Sequence, residues 1–273
     1  RIVGDAELLR DVVADGDAER FEAEVRGVGR LALFERTNDG LADGPRGRFV
    51  GFADAEGDDV AAADDELKEV ADAGAAPPRR DVPGYALGQA TLARAPYSMA
   101  DLTALQKSML FGADDVAALR QSKAILADQT EAILDVWYGF VASTPELVVF
   151  FGDTRSGQPD ANYLGAVRKR FALWILDTAD ATYDQAWLDW QYEIGLRHNR
   201  LKKNKTDGAH GPAQVDFRYL PALTIPITTT LKPFLAKKGA SVADVERMHA
   251  AWVKAVLMQA ILWSHPYIKD GEF

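Results

Sequence analysis

One histidine, His198, lies on the apolar face of a predicted helix that is rich in aromatic residues. Four apolar residues of segment 187–201 recur at the helical spacings 3, 4 and 7, namely Trp187, Trp190, Ile194 and Leu201. At about 100° per residue, His198 falls within roughly 40° of both Ile194 and Trp187. The sequence therefore predicts an imidazole that points into an apolar interior lined by tryptophan.

Two roles are open to this imidazole. A single histidine on an apolar face is most often a core residue whose ring nitrogens bond to the protein. A zinc site is not indicated, since no second histidine lies three or four residues away and no Asp or Glu has a suitable offset. A haem iron with one protein ligand does require a single imidazole among aromatic side chains. Spacing alone does not choose between the core role and the ligand role.

A pocket of that kind also needs bulky apolar groups and one polar hydrogen. The segment DVWYGF, residues 135–140, contains Trp137 and Tyr138 side by side. The alternative is that both are ordinary core residues and that the Tyr138 hydroxyl bonds a backbone carbonyl. The two residues are therefore candidates for a pocket, with that alternative left open.

Helices would position all of these residues. About seven are predicted, over 98–112, 114–143, 144–153, 162–179, 183–203, 215–239 and 241–264, of which 144–153 is a short apolar turn or helix. The sixth contains Pro221, Pro226 and Pro233 and would be kinked, and the last would begin at a Ser241 cap and end before Pro266. Because no alternating strand pattern follows residue 80, the sequence predicts an all-α fold with helices packed around an internal pocket.

The first 80 residues have a different composition from the rest of the chain. They carry 11 Lys+Arg and 20 Asp+Glu, which gives them a net charge of −9, whereas the net charge of the whole chain is −10. All six Trp and all eight Tyr follow residue 80. The boundary falls in the Pro-, Gly- and Ala-rich segment 73–84. We expect residues 1–80 to form an acidic extension, either a small α+β unit or partly disordered, and residues 81–273 to form the main domain.

Composition excludes several classes of site. The chain has no cysteine, which rules out disulfides, thiolate-bound metals, iron–sulfur clusters and haem attached covalently through a C-x-x-C-H motif. An acidic chain is a poor candidate for nucleic-acid binding. The basic residues Arg200, Lys202, Lys203 and Lys205 are expected to be solvated charges at a helix end. Since no segment is typical of a signal peptide or a membrane span, we expect a cytoplasmic protein without a membrane partner.

Residues 82–273 resemble a protoglobin, a single-domain globin of the lineage that includes the globin domains of globin-coupled sensors. The resemblance covers essentially all of the main domain and none of the acidic first 80 residues. It rests on long ordered segments: VPGYALG (82–88), QTEAILDVWYGFV (129–141), YLGAVRKRFALWILDT (163–178), YDQAWLDWQYEIGLRHNR (183–200), PITTTLKPFLAKKG (226–239) and ILWSHPYIKDGEF (261–273). It implies a globin fold of the protoglobin type and a non-covalent haem b.

The resemblance also implies roles for ten residues. His198 would be the proximal ligand of the haem iron, and Tyr138 would stand on the distal side with Trp137 beside it. Arg170 would reach a haem propionate. Six apolar residues would line the haem: Phe151, Val167 and Phe171 on the distal side, and Leu220, Leu223 and Ile227 near the porphyrin.

Further features follow from the resemblance. A short segment at Pro83, Gly84 and Tyr85 would close over the fold, and two chains would form a homodimer through helices at about 215–236 and 241–263. Two positions depart from the family pattern. Asn199 stands where members carry a second histidine, and Leu223 stands where members tend to have phenylalanine.

The function implied is reversible binding of the diatomic gases O2, CO and NO, for transport or sensing. One alternative is a haem enzyme that removes NO or peroxide, although the sequence offers no reductase domain and no distal pair of His and Arg. Another is a gas sensor whose N-terminal region contacts a partner. The last is a helical bundle without a cofactor.

Overall fold

A computed structural model describes residues 82–269, 271 and 273 of the chain. The described residues form nine α-helices: α1 Met99–Ser108, α2 Ala113–Leu126, α3 Thr130–Ala142, α4 Pro145–Val148, α5 Ala161–Asp180, α6 Gln185–His198, α7 Tyr219–Ala222, α8 Thr224–Leu235 and α9 Val242–Ser264. Short 3-10 helices cover Val149–Phe151, Lys237–Gly239 and His265–Tyr267. The all-α prediction is confirmed for this part, whereas the predictions for residues 1–80 lie outside the described residues.

A small hairpin is the one β-structure that the described residues contain. Strands β1 Gly152–Asp153 and β2 Gln158–Pro159 pair antiparallel, with Gly152 opposite Pro159. The hairpin was not predicted, because strands of two residues are too short to leave an alternating pattern in the sequence.

Helix starts follow the capping residues in the sequence. The Ser98 hydroxyl accepts a hydrogen bond from the backbone N–H of Asp101, whose carboxylate accepts the Ser98 N–H in return, and this forms a capping box. Ser241 caps α9 in the same way, by accepting from the N–H of Asp244 at 3.1 Å. The predicted Ser241 cap is therefore confirmed.

Helix α9 is the central element of the core. It packs against α2, α6, α7 and α8. Its buried residues include large side chains, such as Met248 and Trp252, and small ones, such as Ala251 and Ala255, which allow neighbouring helices to approach closely. A helix that buries residues on most of its circumference belongs in the interior, so α9 can supply a wall to any cavity between its neighbours.

The prediction of a single helix over 114–143 is wrong, because the helix is interrupted between α2 and α3. The Gln129 side chain lies at the break and donates to the Ile125 carbonyl at 2.6 Å and to the Phe234 carbonyl of α8 at 3.3 Å. A side-chain amide thus replaces a backbone donor that the ended helix no longer supplies.

The helix predicted over 183–203 is also shorter than expected, since α6 ends at His198. Asn199 leaves the helix with φ −90° and ψ 160°, and its side chain donates to the Pro266 carbonyl and accepts from the Leu201 N–H. Leu201 is consequently exposed rather than part of the apolar stripe. His198 therefore occupies the last turn of α6, where the chain turns away.

Segment 215–239 is broken as its prolines predicted. It forms α7 and α8, which meet at Leu223, and Pro233 lies inside α8.

Among the described helices, none alone is long and apolar enough to cross a membrane. Thr130–Ala142 together with Pro145–Phe151 passes that test by length and composition, but the two are bent by 106°.

Candidate functional site

The ten residues singled out in the sequence all line a cavity of about 240 Å³. Helix α3 contributes Trp137 and Tyr138, α5 contributes Val167, Arg170 and Phe171, and α6 contributes His198. Phe151, Leu220, Leu223 and Ile227 complete the set. The structure therefore brings together every residue that the resemblance assigned to one site, although they come from five separate parts of the chain.

We call Ile194, His198 and Trp263 the histidine wall of this cavity. His198 Nδ1 lies 2.9 Å from the backbone oxygen of Ile194, which accepts the proton that Nδ1 carries. This contact assigns the tautomer and leaves Nε2 with a free lone pair. The imidazole also stacks on the Trp263 indole, with the ring planes 10° apart and the centroids 5.3 Å apart. Hydrogen bond and stack together fix the direction in which Nε2 points.

The surroundings of His198 favour a neutral imidazole. Burial lowers its pKa below the ordinary histidine value, the hydrogen bond to the Ile194 carbonyl opposes that change, and the positive charge of Lys203 adds to the lowering. A pKa below the usual value of about 6.5 means that the ring is uncharged at neutral pH. An uncharged imidazole with a free Nε2 is the form that binds a metal.

Close contact between α6 and α9 makes the stack with Trp263 possible. A Cβ atom on Gly195 would lie 2.9 Å from the backbone oxygen of Trp263 and 3.0 Å from its Cα, so only glycine permits this approach. The Trp263 indole N–H donates to the Gln191 side-chain oxygen at 2.8 Å, one turn earlier on α6. These two contacts hold the indole against the imidazole.

We call Trp137, Tyr138 and Phe151 the tyrosine wall. Tyr138 is 2% exposed, and its hydroxyl has no hydrogen-bond partner among the residues that the structure describes. Among these residues, the hydroxyl therefore does not bond a backbone carbonyl, which was the alternative left open by the sequence. Burial raises the pKa of Tyr138 above the ordinary value of tyrosine, so the phenol keeps its hydrogen. An unsatisfied buried hydroxyl costs about 1–3 kcal/mol and calls for an explanation.

Aromatic contacts hold the tyrosine wall in place. The Tyr138 and Phe151 rings meet edge to face with centroids 6.1 Å apart, and Trp137 meets Phe171 of α5 at 5.9 Å. Edge-to-face pairs of this kind contribute about 0.5–1.5 kcal/mol each beyond the area that they bury. The wall is therefore largely apolar and well packed, and the Tyr138 hydroxyl is its buried polar atom without a partner among the described residues.

Arg170 lies on the cavity, but its guanidinium is paired within the protein. It makes two hydrogen bonds to the carboxylate of Asp207, at 2.9 and 2.6 Å, and a third to the Pro83 carbonyl at 3.0 Å. Both partners of the ion pair are largely buried. The contact of Arg170 with a propionate remains a prediction.

The Pro83–Tyr85 segment packs on side chains that line the cavity. Besides the bond from Arg170 to Pro83, Arg197 donates to the Gly84 carbonyl. The Tyr85 hydroxyl donates to Asp177 at 2.6 Å. Gly84 has φ +78°, and a Cβ there would lie 2.7 Å from a guanidinium nitrogen of Arg170, which explains the need for glycine. The segment thus lies against α5 and α6 at the cavity.

Sequence reasoning missed several cavity residues. Trp263, Arg197 and Asp207 were not assigned to the site, and Lys203 was expected to be a solvated charge. That expectation is wrong, because Lys203 is only 3% exposed and lines the cavity. No periodic signal could have found it, since it lies in a turn beyond the end of α6.

The other histidines lie away from this cavity. His249 bonds the Thr228 carbonyl, and His265 packs with Tyr97 and Phe273. Within the described ranges, no three side chains of His, Cys, Asp or Glu are grouped so that they could hold a metal ion. The histidine wall is therefore the place to look for a metal-binding imidazole in this part of the chain.

Helices packed around an aromatic cavity, with one neutral imidazole and one unpaired phenol in its walls, are typical of globin-type haem proteins. The protoglobin family model matches residues 98–273, and this chain belongs to the protoglobin family. The match confirms the resemblance to a protoglobin that was seen in the sequence. A search of curated proteins found no match to the chain.

Proposed function

We propose that the protein binds haem b without a covalent bond and that it reversibly binds O2, CO and NO. In this proposal His198 is the proximal ligand of the iron. The observation that carries the proposal is the state of His198: its Nδ1 is bonded to Ile194, its ring is stacked on Trp263, its pKa is lowered, and Nε2 is left free. A core histidine would instead have both ring nitrogens bonded.

The other walls of the cavity fit the same group. Phe171, Leu220, Leu223 and Ile227 offer the apolar surface that a porphyrin needs, and they come from α5, α7 and α8 and the junction between the last two. Lys203 provides positive charge at the cavity for a carboxylate, and Arg170 would reach a propionate with an N–H group that its bonds to Asp207 and Pro83 do not use. A buried aromatic lining also excludes water, which strengthens every polar interaction inside it.

Tyr138 would contact the gas ligand. Ferrous haem iron supplies reversible binding of diatomic gases and places partial negative charge on O2 but little on CO. The Tyr138 hydroxyl is buried, protonated and unpaired in the described structure, so its hydrogen is available to an acceptor in the cavity. A hydrogen bond to that acceptor would remove the cost of the unsatisfied hydroxyl and favour O2 over CO.

Absorption spectra of the purified protein test the haem proposal. The ferric protein, the protein reduced with dithionite and the reduced protein under CO should give three distinct Soret bands, with about one haem for each chain by extraction. A protein that takes up no haem from haem-containing medium would overturn the proposal. Steady consumption of NO or peroxide at a rate well above that of free haem would favour the enzyme alternative instead.

We also propose that two chains associate through α8 and α9. Each of these helices exposes large apolar residues: Ile225 is 65% exposed and Val242 is 80% exposed, with Val253 and Leu257 partly exposed further along α9. Light scattering on the eluting protein should give twice the mass of one chain. Replacing Ile225 and Leu257 with Asp should shift it to the mass of one chain, and an unchanged dimer would place the interface elsewhere.

A further inference from the structure

Three cationic side chains other than histidine line the cavity, and they differ in their partners. Arg170 is held by both carboxylate oxygens of Asp207, with the closer contact at 2.6 Å. Arg197 donates to Glu193 at 2.9 Å, and it lies 5.0 Å from the centre of the Trp190 ring. Both arginines are therefore already neutralised by a carboxylate of the protein.

Lys203 has no such carboxylate. Its ammonium donates to the Phe150 carbonyl at 3.0 Å and to the Asn204 side-chain oxygen at 3.4 Å, and it lies 5.2 Å from the centre of the Tyr163 ring. In the described part of the chain, no Asp or Glu forms an ion pair with it. Lys203 is thus a buried cation whose contacts are all with neutral groups.

A buried cation without an anion is costly. Charged groups are almost never fully buried unless they are paired. The cost is visible in the pKa of Lys203, which burial lowers from 10.5 to about 8. At neutral pH the group still carries its charge, and that charge faces a cavity whose other basic residues are occupied. Among the described cationic residues that line the cavity, Lys203 is the one without a carboxylate partner. An anion that enters the cavity would therefore find Lys203 available for an ion pair.

We propose that Lys203 binds a carboxylate of the cofactor and is a main determinant of the cavity's preference for a carboxylate-bearing porphyrin. This inference rests on the proposed function. A carboxylate at Lys203 would accept a further hydrogen bond from the ammonium group. Such a charge-assisted hydrogen bond is stronger than a bond between neutral groups. It would do so without separating Arg170 from Asp207 or Arg197 from Glu193.

A purely structural role is the rival explanation. The bond from Lys203 to the Phe150 carbonyl ties the turn after α6 to the segment that precedes β1. In that case Lys203 would stabilise the cavity wall for any porphyrin, whether or not the porphyrin carries charge. The two explanations therefore differ in how the effect of Lys203 depends on the ligand's carboxylates.

The test compares ferric haem with its dimethyl ester, which keeps the porphyrin and the iron but has no carboxylate charge. The measurement is the rate at which each is lost from the full chain to an excess of a haem-scavenging protein. Two variants remove the charge: Lys203→Gln keeps a donor for the Phe150 carbonyl, and Lys203→Met removes it. Lys205→Met is the matched control, since Lys205 is exposed and its side chain bonds none of the residues that the structure describes.

We expect the unaltered protein to lose the ester about tenfold faster than haem, or more, since a charge-assisted bond is lost. Both Lys203 variants should bring the two rates to within about threefold of each other, by accelerating the loss of haem alone. Lys205→Met should leave the ratio unchanged. Equal acceleration of haem and ester in Lys203→Met, with no effect in Lys203→Gln, would show a structural role and overturn the inference.

Other outcomes are equally decisive. A ratio near one in the unaltered protein, or a ratio that neither Lys203 variant changes, would also overturn the inference while the proposed haem function stands. Uptake of neither porphyrin by the unaltered protein would instead overturn the proposed function, and this inference with it. Should Lys203→Met fail to fold, Lys203→Gln alone decides.

Discussion

The histidine wall and the tyrosine wall enclose the same cavity, but their polar atoms are bonded differently. In the histidine wall, His198 Nδ1 bonds the Ile194 carbonyl and Trp263 Nε1 bonds Gln191, so that Nε2 of His198 is the polar side-chain atom left over. In the tyrosine wall, the Tyr138 hydroxyl itself has no partner among the described residues. Each wall thus leaves a polar atom for a ligand: the acceptor Nε2 of His198 in one wall and the donor hydroxyl of Tyr138 in the other.

The difference explains what each wall can contribute. A ring that is hydrogen-bonded on one side and stacked on one face has little freedom, which suits a bond to a metal that tolerates little error in direction. A hydroxyl can rotate its hydrogen about the C–O bond, which suits a weaker contact with ligands of differing shape. Loss of the His198 ring should therefore abolish haem binding, whereas loss of the Tyr138 hydroxyl should change the preference among gas ligands.

The largest effect is expected from His198→Ala. The substitution removes the only imidazole that lines the cavity in the described structure and opens a hole beside Trp263, so haem would be held by burial alone. We expect loss of stable haem, measured as haem per chain after purification. His249→Ala is the control, since His249 bonds the Thr228 carbonyl away from the cavity and should not matter. Full haem content with an unchanged ferrous spectrum would show that the ligand is another residue.

The next effect is expected from Tyr138→Phe, which keeps the ring and removes the hydroxyl. A hydrogen bond to a partly charged acceptor is worth about 1.5–3 kcal/mol, so the rate of O2 dissociation should rise roughly ten- to a hundredfold. The rate of CO dissociation should change much less. Stopped-flow measurements of both gases give the comparison.

Tyr267→Phe is a suitable control for that experiment. The Tyr267 hydroxyl donates to the Val215 carbonyl at 2.9 Å, and Tyr267 does not line the cavity. Its loss should leave both dissociation rates unchanged. Equal shifts for O2 and CO in Tyr138→Phe, or no shift in either, would remove the Tyr138 hydroxyl from the gas site.

A smaller effect tests whether the histidine wall depends on close packing of α6 and α9. Gly195→Ala places a methyl group against the backbone of Trp263, so we expect the free energy of unfolding to fall by about 1–3 kcal/mol. Gly165→Ala in α5 is the matched control, because a Cβ there meets nothing within 4 Å. It should be neutral or stabilise by up to about 1 kcal/mol through helix propensity.

Thermal or urea unfolding of both glycine variants, prepared in parallel, measures this difference. Haem loss should also be faster in Gly195→Ala than in Gly165→Ala, since the displaced indole no longer holds the His198 ring. Equal stabilities of the two variants would mean that α6 and α9 can separate at no cost, and that the stack on Trp263 is not a constraint.

The smallest effect is expected from deletion of residues 1–80. Both walls consist of residues that follow Val82, so a chain starting at residue 81 should keep haem uptake and gas dissociation rates nearly unchanged. The cut preserves Pro83 and Gly84, whose carbonyls bond Arg170 and Arg197. Failure of the shortened chain to hold haem would make the acidic region part of the haem domain and move the proposed domain boundary.

Helical periodicity predicted only the apolar face on which His198 lies, and the roles of the ten site residues came from the resemblance to a protoglobin. The positions of Trp187, Ile194 and His198 along one face of α6 follow from about 3.6 residues per turn, a property of the local backbone. Trp137 and Tyr138 are adjacent in α3 and therefore about 100° apart around the helix, so their place in one wall came from the resemblance and not from periodicity. Caps such as Ser98 and Ser241 were equally local, since each bonds to a residue three positions along.

The rest depended on contacts between distant parts of the chain. The break at Gln129 is stabilised by the Phe234 carbonyl of α8, and the end of α6 at Asn199 by the Pro266 carbonyl, so neither has a signal in its own segment. The stack of Trp263 on His198 requires α9 to cross α6 at Gly195. Burial of Lys203 requires the turn after α6 to fold onto the Phe150 segment. Periodicity records which face of a helix is apolar, but only tertiary packing decides which residues meet there and which charges lose their water.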